Sequence, residues 1–175
     1  MEDNFNHLYK KYHNDVYNFL YYMVHNRDQA EDLVQEVYIR VLKAHQKFKG
    51  DSSEKTWLFA IARNVAIDSF RKHKGWKQRI VDKFDFWEQQ IKDESLTPEE
   101  SAFHKEDTEN MFKCLEQCTL DQKCVIILRY LQELTILETA KVLGWKESKV
   151  KTTQHRAIKQ LKALMEDMSN KERVG

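Results

Sequence analysis

The chain predicts an all-α fold: two small helical domains, an N-terminal helical bundle and a C-terminal helix-turn-helix domain, joined by an acidic connector. Three observations carry this. Gly and Pro are scarce, four and one in 175 residues, whereas strand-rich folds spend both on tight turns. Apolar residues recur at spacings of three and four over long stretches, the repeat of a helix with one buried face. Charge is laid down in blocks that divide the chain.

The first helix is read from Phe5, Leu8, Tyr9, Tyr12, Val16, Phe19, Leu20 and Met23, which share one face. His25-Asn26-Arg27 interrupts the repeat, and Asp28 with Glu31 three residues on has the form of a capping box for a second helix. Its expected buried stripe is Leu33, Val34, Val37, Tyr38, Val41 and Leu42. A polar loop around Gly50 then leads into a third helix from near Ser53, carrying Trp57, Leu58, Ile61, Ala62, Val65 and Phe70. Three helices on short loops make a compact bundle, expected to span 1–75.

Residues 76–96 hold apolar side chains without a steady repeat and are read as a connector. Thr97-Pro98-Glu99-Glu100 then combines a capping Thr, a Pro suited to the first helical position and a Glu that completes the box, so a second domain, 97–175, begins there. Within it Met111, Cys114, Leu115 and Cys118 line one helix face. Thr119 with Gln122 and Thr135 with Glu138 open two further helices, the first with a core run from Cys124 to Leu131. Gly144 stands where a left-handed C-cap is wanted. A last helix runs from about Glu147 to at least Leu164, and the polar tail from Ser169 is expected to fray.

The formal net charge of +1 conceals a segregation. Lys49, Lys55, Arg63, Arg71, Lys72, Lys74, Lys77 and Arg79 make one basic segment, and 141–162, with Glu147 as its only acid, makes another. Between them, from Asp82 to Glu109, ten acids face three lysines. Two basic segments flanking an acidic one suit two polyanion-binding surfaces joined by a solvated connector. No apolar run follows a basic start, and no stretch reaches the ~18 apolar residues of a membrane span. Three cysteines, an odd number, do not suit a secreted disulfide framework. A cytoplasmic protein is expected.

Ala140, Gly144 and Val150, four and then six residues apart, supply what a helix-turn-helix needs. These are a small residue where the helices cross, a Gly to turn the chain and an apolar anchor in the second helix. That second helix then presents Lys149, Lys151, Thr152, His155 and Arg156. Lys and Arg neutralise phosphates, and Arg and Thr can also meet base edges. From Asp51 to Lys74, basic residues alternate with Trp57, Phe59 and Phe70, the composition of surfaces that hold single strands. Trp57 and Phe70 fit a core phase, whereas Phe59 fits it less well and is read as an exposed contact.

At these residues a resemblance enters. Asp32-Leu33-Val34-Gln35-Glu36-Val37-Tyr38-Ile39-Arg40-Val41-Leu42 resembles the polymerase-binding segment of extracytoplasmic-function (ECF) sigma factors. Thr56-Trp57-Leu58-Phe59-Ala60-Ile61-Ala62-Arg63-Asn64-Val65-Ala66-Ile67-Asp68 is similar to their promoter-melting helix, and Val150-Lys151-Thr152-Thr153-Gln154-His155-Arg156-Ala157 to their −35-reading helix. The resemblance implies that Asp32, Leu33, Gln35, Glu36, Val37 and Arg40 dock on core RNA polymerase. It places Gly50, Asp51, Ser52, Ser53, Lys55, Trp57, Arg63 and Asn64 at the −10 element, with the Gly50–Lys55 loop and Asn64 around a flipped base. It places Lys149, Lys151, Thr152, His155 and Arg156 at the −35 element. It further implies promoter DNA and an anti-sigma factor as partners, the latter membrane-anchored or soluble, a monomer when free, and a role in stress-responsive transcription. Lys146, Lys149 and Gln154 depart from the family's usual residues, which touches promoter preference.

Other chemistry finds little support. Cys114 and Cys118 are four apart, but a structural zinc site needs four ligands, and buried cysteine is a common small hydrophobe. No Ser/His/Asp set, HExxH or Gly-rich phosphate loop is present, so no catalytic residue, metal or cofactor is expected. The rival readings are a stand-alone helix-turn-helix regulator and a helical adaptor for an acidic protein.

Overall fold

The computed structural model describes residues 2–44, 48, 50, 53–72 and 109–174, and the described residues outside turns are helical. The elements are α1 (Glu2–Val24), α2 (Arg27–Ala44), α3 (Glu54–Lys72), α4 (109–117), α5 (Leu120–Ile126), a π-helical turn (Ile127–Leu131), α6 (Ile136–Leu143) and α7 (Glu147–Val174). The connector 76–96 and the Thr97 cap lie outside the described residues.

Each boundary has a local cause. At the α1–α2 turn His25 takes a positive φ of 50°. The cap of α2 differs from the sequence expectation. Asn26 Oδ1 accepts from the Gln29 amide at 2.9 Å, so Asn26 satisfies an orphan donor and Asp28 lies inside the first turn. Glu31 pairs with Arg27 at 3.5 Å rather than closing a box on Asp28. Ser53 caps α3, its Oγ accepting from the Thr56 amide at 3.1 Å. Full capping boxes stand at Thr119–Gln122 and Thr135–Glu138. The tail from Ser169 is part of the last helix. With no Gly or Pro from 145 to 174, and with Lys171 and Arg173 complementing the helix dipole, α7 continues to Val174.

α1, α2 and α3 pack on one another around Val16, Phe19, Leu20, Val37, Val41, Leu58, Phe59 and Ala62, each fully buried. Phe59, expected at the surface, is 0% exposed and meets Phe19 edge-on at 5.5 Å between ring centroids. Leu42, expected in the stripe of α2, is 58% exposed. In the C-terminal region α5 packs on α7, and α6 crosses α7. Three residues missing from the stripe of α4 and the core run become visible here: Phe112, the bend at Gln132, and Leu134, all buried. The run Cys124–Leu131 is buried only to Leu128, because the π-helical turn rotates Tyr130 and Leu131 outward.

The two regions share a continuous core. Cys124, Val125, Ile127, Leu128, Leu134, Ala140, Val142, Leu143 and Val150 form one buried cluster with the α1–α3 residues. α3 packs against α6, and α1 against the π-helical turn.

Candidate nucleic-acid and polymerase interface

The helix-turn-helix is α6–turn–α7. Ala140 is 5% exposed at the helix crossing and Val150 is fully buried. Gly144 takes φ 69°, ψ 32°, and its amide donates to the Ala140 carbonyl, an αL cap that only Gly adopts without cost. A Cβ added at Gly144 would meet nothing within 4 Å. Gly144→Ala should therefore lose about 1–2 kcal/mol through backbone conformation alone. Thermal unfolding of the full chain measures this, and Gly144→Asn should recover part of the loss.

Val150 anchors α7 inward, so the residues around it face out. Lys149, Lys151, Thr152, His155 and Arg156 are all exposed. Lys149 Nζ lies 4.0 Å from the Trp145 ring centroid, and the Thr152 hydroxyl donates back to the Ser148 carbonyl at 3.0 Å. Lys151, His155 and Arg156 reach solvent at spacings that keep them on neighbouring faces of the helix. Gln154 turns the other way. Its Oε1 accepts from Arg129 Nε at 2.8 Å, while Arg129 Nη1 donates to the Leu134 carbonyl. The departure at Gln154 is thus a tie between the recognition helix and the π-helical turn.

On α3, Ser53 and Asn64 are exposed, and Trp57 is half-buried against Phe48 at 4.9 Å. Gly50 is exposed with a φ of 74°; Asp51 and Ser52 lie outside the described residues. Lys55 and Arg63 are half-buried. Lys55 Nζ donates to the Gln132 carbonyl at 3.2 Å and lies 5.8 Å from the Phe59 ring. Arg63 Nη1 donates to Asn64 Oδ1 at 3.4 Å, and its Nε is covered and has no hydrogen-bond partner among the described residues. Burial pushes the Cys124 thiol up to about 12, and the positive charge of Arg63 acts on it in the opposite sense.

On α2, Asp32 and Gln35 are exposed, and Leu33, Glu36 and Arg40 are half-buried. Val37 is fully buried beneath this face. Arg40 links α2 to α3, its Nε 3.1 Å from Glu36 Oε1 and its Nη1 3.0 Å from Asp68 Oδ2. Two apolar side chains stand on the outward face, Leu42 against the sequence expectation and Ile39 outside it. Ile39 is 45% and Leu42 58% exposed, and with Gln35 they follow the four- and three-residue spacing of one helix face.

Cys114, Cys118 and Cys124 are all buried thiols, and burial raises each above its ordinary range. Cys118 Sγ lies 3.4 Å from the Cys114 carbonyl and Cys114 Sγ 3.6 Å from Met168 Sδ. No metal-ligating cluster occurs among the described residues, and among them no helix is long and apolar enough to cross a membrane.

Known proteins resemble this chain along both regions. Residues 8–75 match the model of sigma-70 region 2 and residues 109–161 that of sigma-70 region 4. The ECF RNA polymerase sigma factor SigX of Bacillus subtilis (strain 168) is 54% identical over 166 residues, 95% of this chain and 86% of that protein. RNA polymerase sigma factor YlaC of the same organism is 32% identical over 172 residues, 98% of each. The sigma factor RpoE of Bartonella quintana, solved with the anti-sigma factor NepR, shares the fold at a TM-score of 0.69 and 22% identity, covering 93% of this chain and 97% of that one. The helix-turn-helix, the three-helix bundle and these matches agree: the chain belongs to the sigma-70 family of RNA polymerase sigma factors, in its ECF group.

Proposed function

We propose that this chain binds core RNA polymerase in the cytoplasm and directs initiation by reading −10 and −35 promoter elements, without catalysing a reaction itself. Residues 1–75 carry the polymerase and −10 surfaces, 76–96 connect, and 97–175 read the −35 element. The observation that carries the reading is the outward set Lys149, Lys151, Thr152, His155 and Arg156 on a helix whose inner side is anchored by Val150 and turned in by Gly144.

In this reading α7 enters the major groove of the duplex, its Lys side chains on phosphates and Arg156 and Thr152 at base edges. α2 offers carboxylates and amides (Asp32, Gln35, Glu36) around Leu33, Ile39 and Leu42, a polar face with apolar anchors that suits a basic partner surface. Gly50 to Lys55, Trp57, Arg63 and Asn64 receive the opened −10 strand, Asn64 offering both a donor and an acceptor to a flipped base. Unstacking a base costs a few kcal/mol, which protein contacts offset. An anti-sigma factor holds the protein inactive until a signal releases it, as the complex of the Bartonella relative with NepR supports.

The test is transcription in vitro with bacterial core polymerase on genomic fragments. Discrete start sites should appear only when the protein is added, and their alignment gives the promoter. Absence of transcripts, together with failure to co-migrate with core polymerase, would overturn the reading in favour of a stand-alone regulator.

A further inference from the structure

One guanidinium joins the pieces of the helix-turn-helix. Arg129 stands half-buried in the π-helical turn. Its Nε donates to Gln154 Oε1 on α7 at 2.8 Å, and its Nη1 donates to the carbonyl of Leu134, the residue just before the Thr135 cap of α6. Leu134 is itself fixed, 2% exposed and with its amide donating to the Leu128 carbonyl at 3.0 Å. Arginine presents its N–H donors in a rigid planar fork, so the turn, the entry to α6 and the recognition helix share one frame of reference.

The fully buried anchors of α7 are Val150 and Ala157. Being seven residues apart, they fall within about 20° of one line along the helix. Apolar burial is non-directional, so a helix held along one line resists lifting more than rolling. Ile158 and Leu161 add apolar support further on, against the cluster of Leu115, Ile126 and Ala157. Gln154 stands about 40° round from Val150, toward Lys151, and its hydrogen bond is directional. The effect of a roll is unequal across the reading set. A point on the helix surface lies about 5–6 Å from the axis, so a roll of about 20° would move it by about 2 Å. That breaks a base-edge hydrogen bond, whose length spans only about half an ångström, whereas a flexible lysine still reaches its phosphate.

We propose that Gln154 and Arg129 are positioning residues for promoter discrimination. Their hydrogen bond fixes the roll of α7, and through it the bearing at which Thr152 and Arg156 meet base edges, while neither member of the pair touches DNA. Discrimination and affinity are thereby separable. The pair governs the first, and the exposed Lys149 and Lys151 supply much of the second. The inference rests on the proposed function for the reading of the −35 element by α7.

Gln154→Leu removes the acceptor and keeps the bulk of the side chain. Mobility shifts of the full chain are read on three duplexes: one carrying the −35 element of a mapped promoter, the same with one −35 base pair replaced, and an unrelated sequence. The affinity ratio between the first two should fall on the order of tenfold, the size of effect that one mismatched base pair carries. Affinity for the unrelated duplex should stay within about twofold, with its salt slope unchanged, because phosphate contacts set both. Gln154→Glu keeps the acceptor, so it should retain the ratio while its charge weakens binding to all three duplexes alike. Arg129→Met should lower the ratio as Gln154→Leu does, and combining the two should lower it no further. In the unaltered chain the Arg129 Nε proton should exchange slowly with water by NMR, a readout independent of how any variant folds. A Gln154→Leu protein that keeps the ratio, a Gln154→Glu protein that loses it, or fast exchange at Arg129 would overturn the inference. An unaltered chain that binds the two −35 duplexes equally would overturn the proposed function, and the inference with it.

Discussion

With Lys151 and Arg156 both replaced by Ala, duplex −35 DNA should bind on the order of 100-fold more weakly, each contact carrying ~1–3 kcal/mol. Both side chains are exposed on the part of α7 that Val150 and Ala157 hold against the domain from within, so their loss should leave the fold intact. If both meet phosphates, the slope of log affinity against log salt should also fall by about 2. If Arg156 meets a base edge instead, the slope should fall by about half as much, and discrimination at one −35 position should relax. Electrophoretic mobility shifts over a salt series on a mapped promoter separate these outcomes. Co-migration with core polymerase should be unaffected, because the polymerase surface proposed on α2 is separate from α7. A double variant that binds DNA as the unaltered protein does would instead favour a helical adaptor whose basic face meets an acidic protein.

Phe59→Ala should cost about 3–5 kcal/mol of stability, a large share of the roughly 5–15 kcal/mol of an ordinary domain. The ring is fully buried and meets Phe19 edge-on at 5.5 Å, so truncation leaves a cavity and removes an aromatic pair. Urea unfolding of the full chain measures the loss. A change under about 1 kcal/mol, with reduced binding of a single strand, would mean that the ring serves the surface after all. Phe59→Leu should be much milder, since it keeps most of the apolar volume.

That residue also shows where sequence reasoning lost sight of the fold. Leu58, Ala62 and Val65 mark one buried line of α3, and Phe59 lies about 100° from Leu58 around the helix. A helix touched on one side hides one stripe, but α3 packs against α1, α2 and α6, so its buried arc is wider than a single repeat reveals. Phe112 went unseen for a related reason. It falls between Met111 and Cys114, and its partners His25, Tyr21 and Tyr22 lie some ninety residues away. Nothing in a local repeat encodes a pairing across that separation.

What was legible was short-range. The Thr119 and Thr135 boxes and the Gly144 cap depend on atoms within a few residues, and all stand as the sequence implies. The outward phase of Lys151, His155 and Arg156 comes from Val150 and Ala157 pointing inward, which the 3.6-residue repeat dictates. On α2 the repeat placed Val37 correctly in the core stripe, where it is fully buried. The same repeat put Leu42 inside and missed Ile39, both of which stand exposed on α2.

The π-helical turn at Ile127–Leu131, closed by the Gln132 amide on the Ile127 carbonyl at 3.0 Å, makes chain length itself a carrier of information. Such a turn holds one residue more than an α-helical turn would, and each residue advances a helix by about 100°. The chain beyond Leu131 is therefore set on a bearing that an unbroken helix would not give. Just beyond the turn the Gln132 side chain donates to the Asp15 carbonyl, and the Leu134 carbonyl accepts from Arg129. Along this stretch a substitution alters a side chain, whereas a single-residue deletion would regularise the helix and swing the promoter-reading end of the molecule off course. Among relatives, this segment should then vary in letters far more readily than in count.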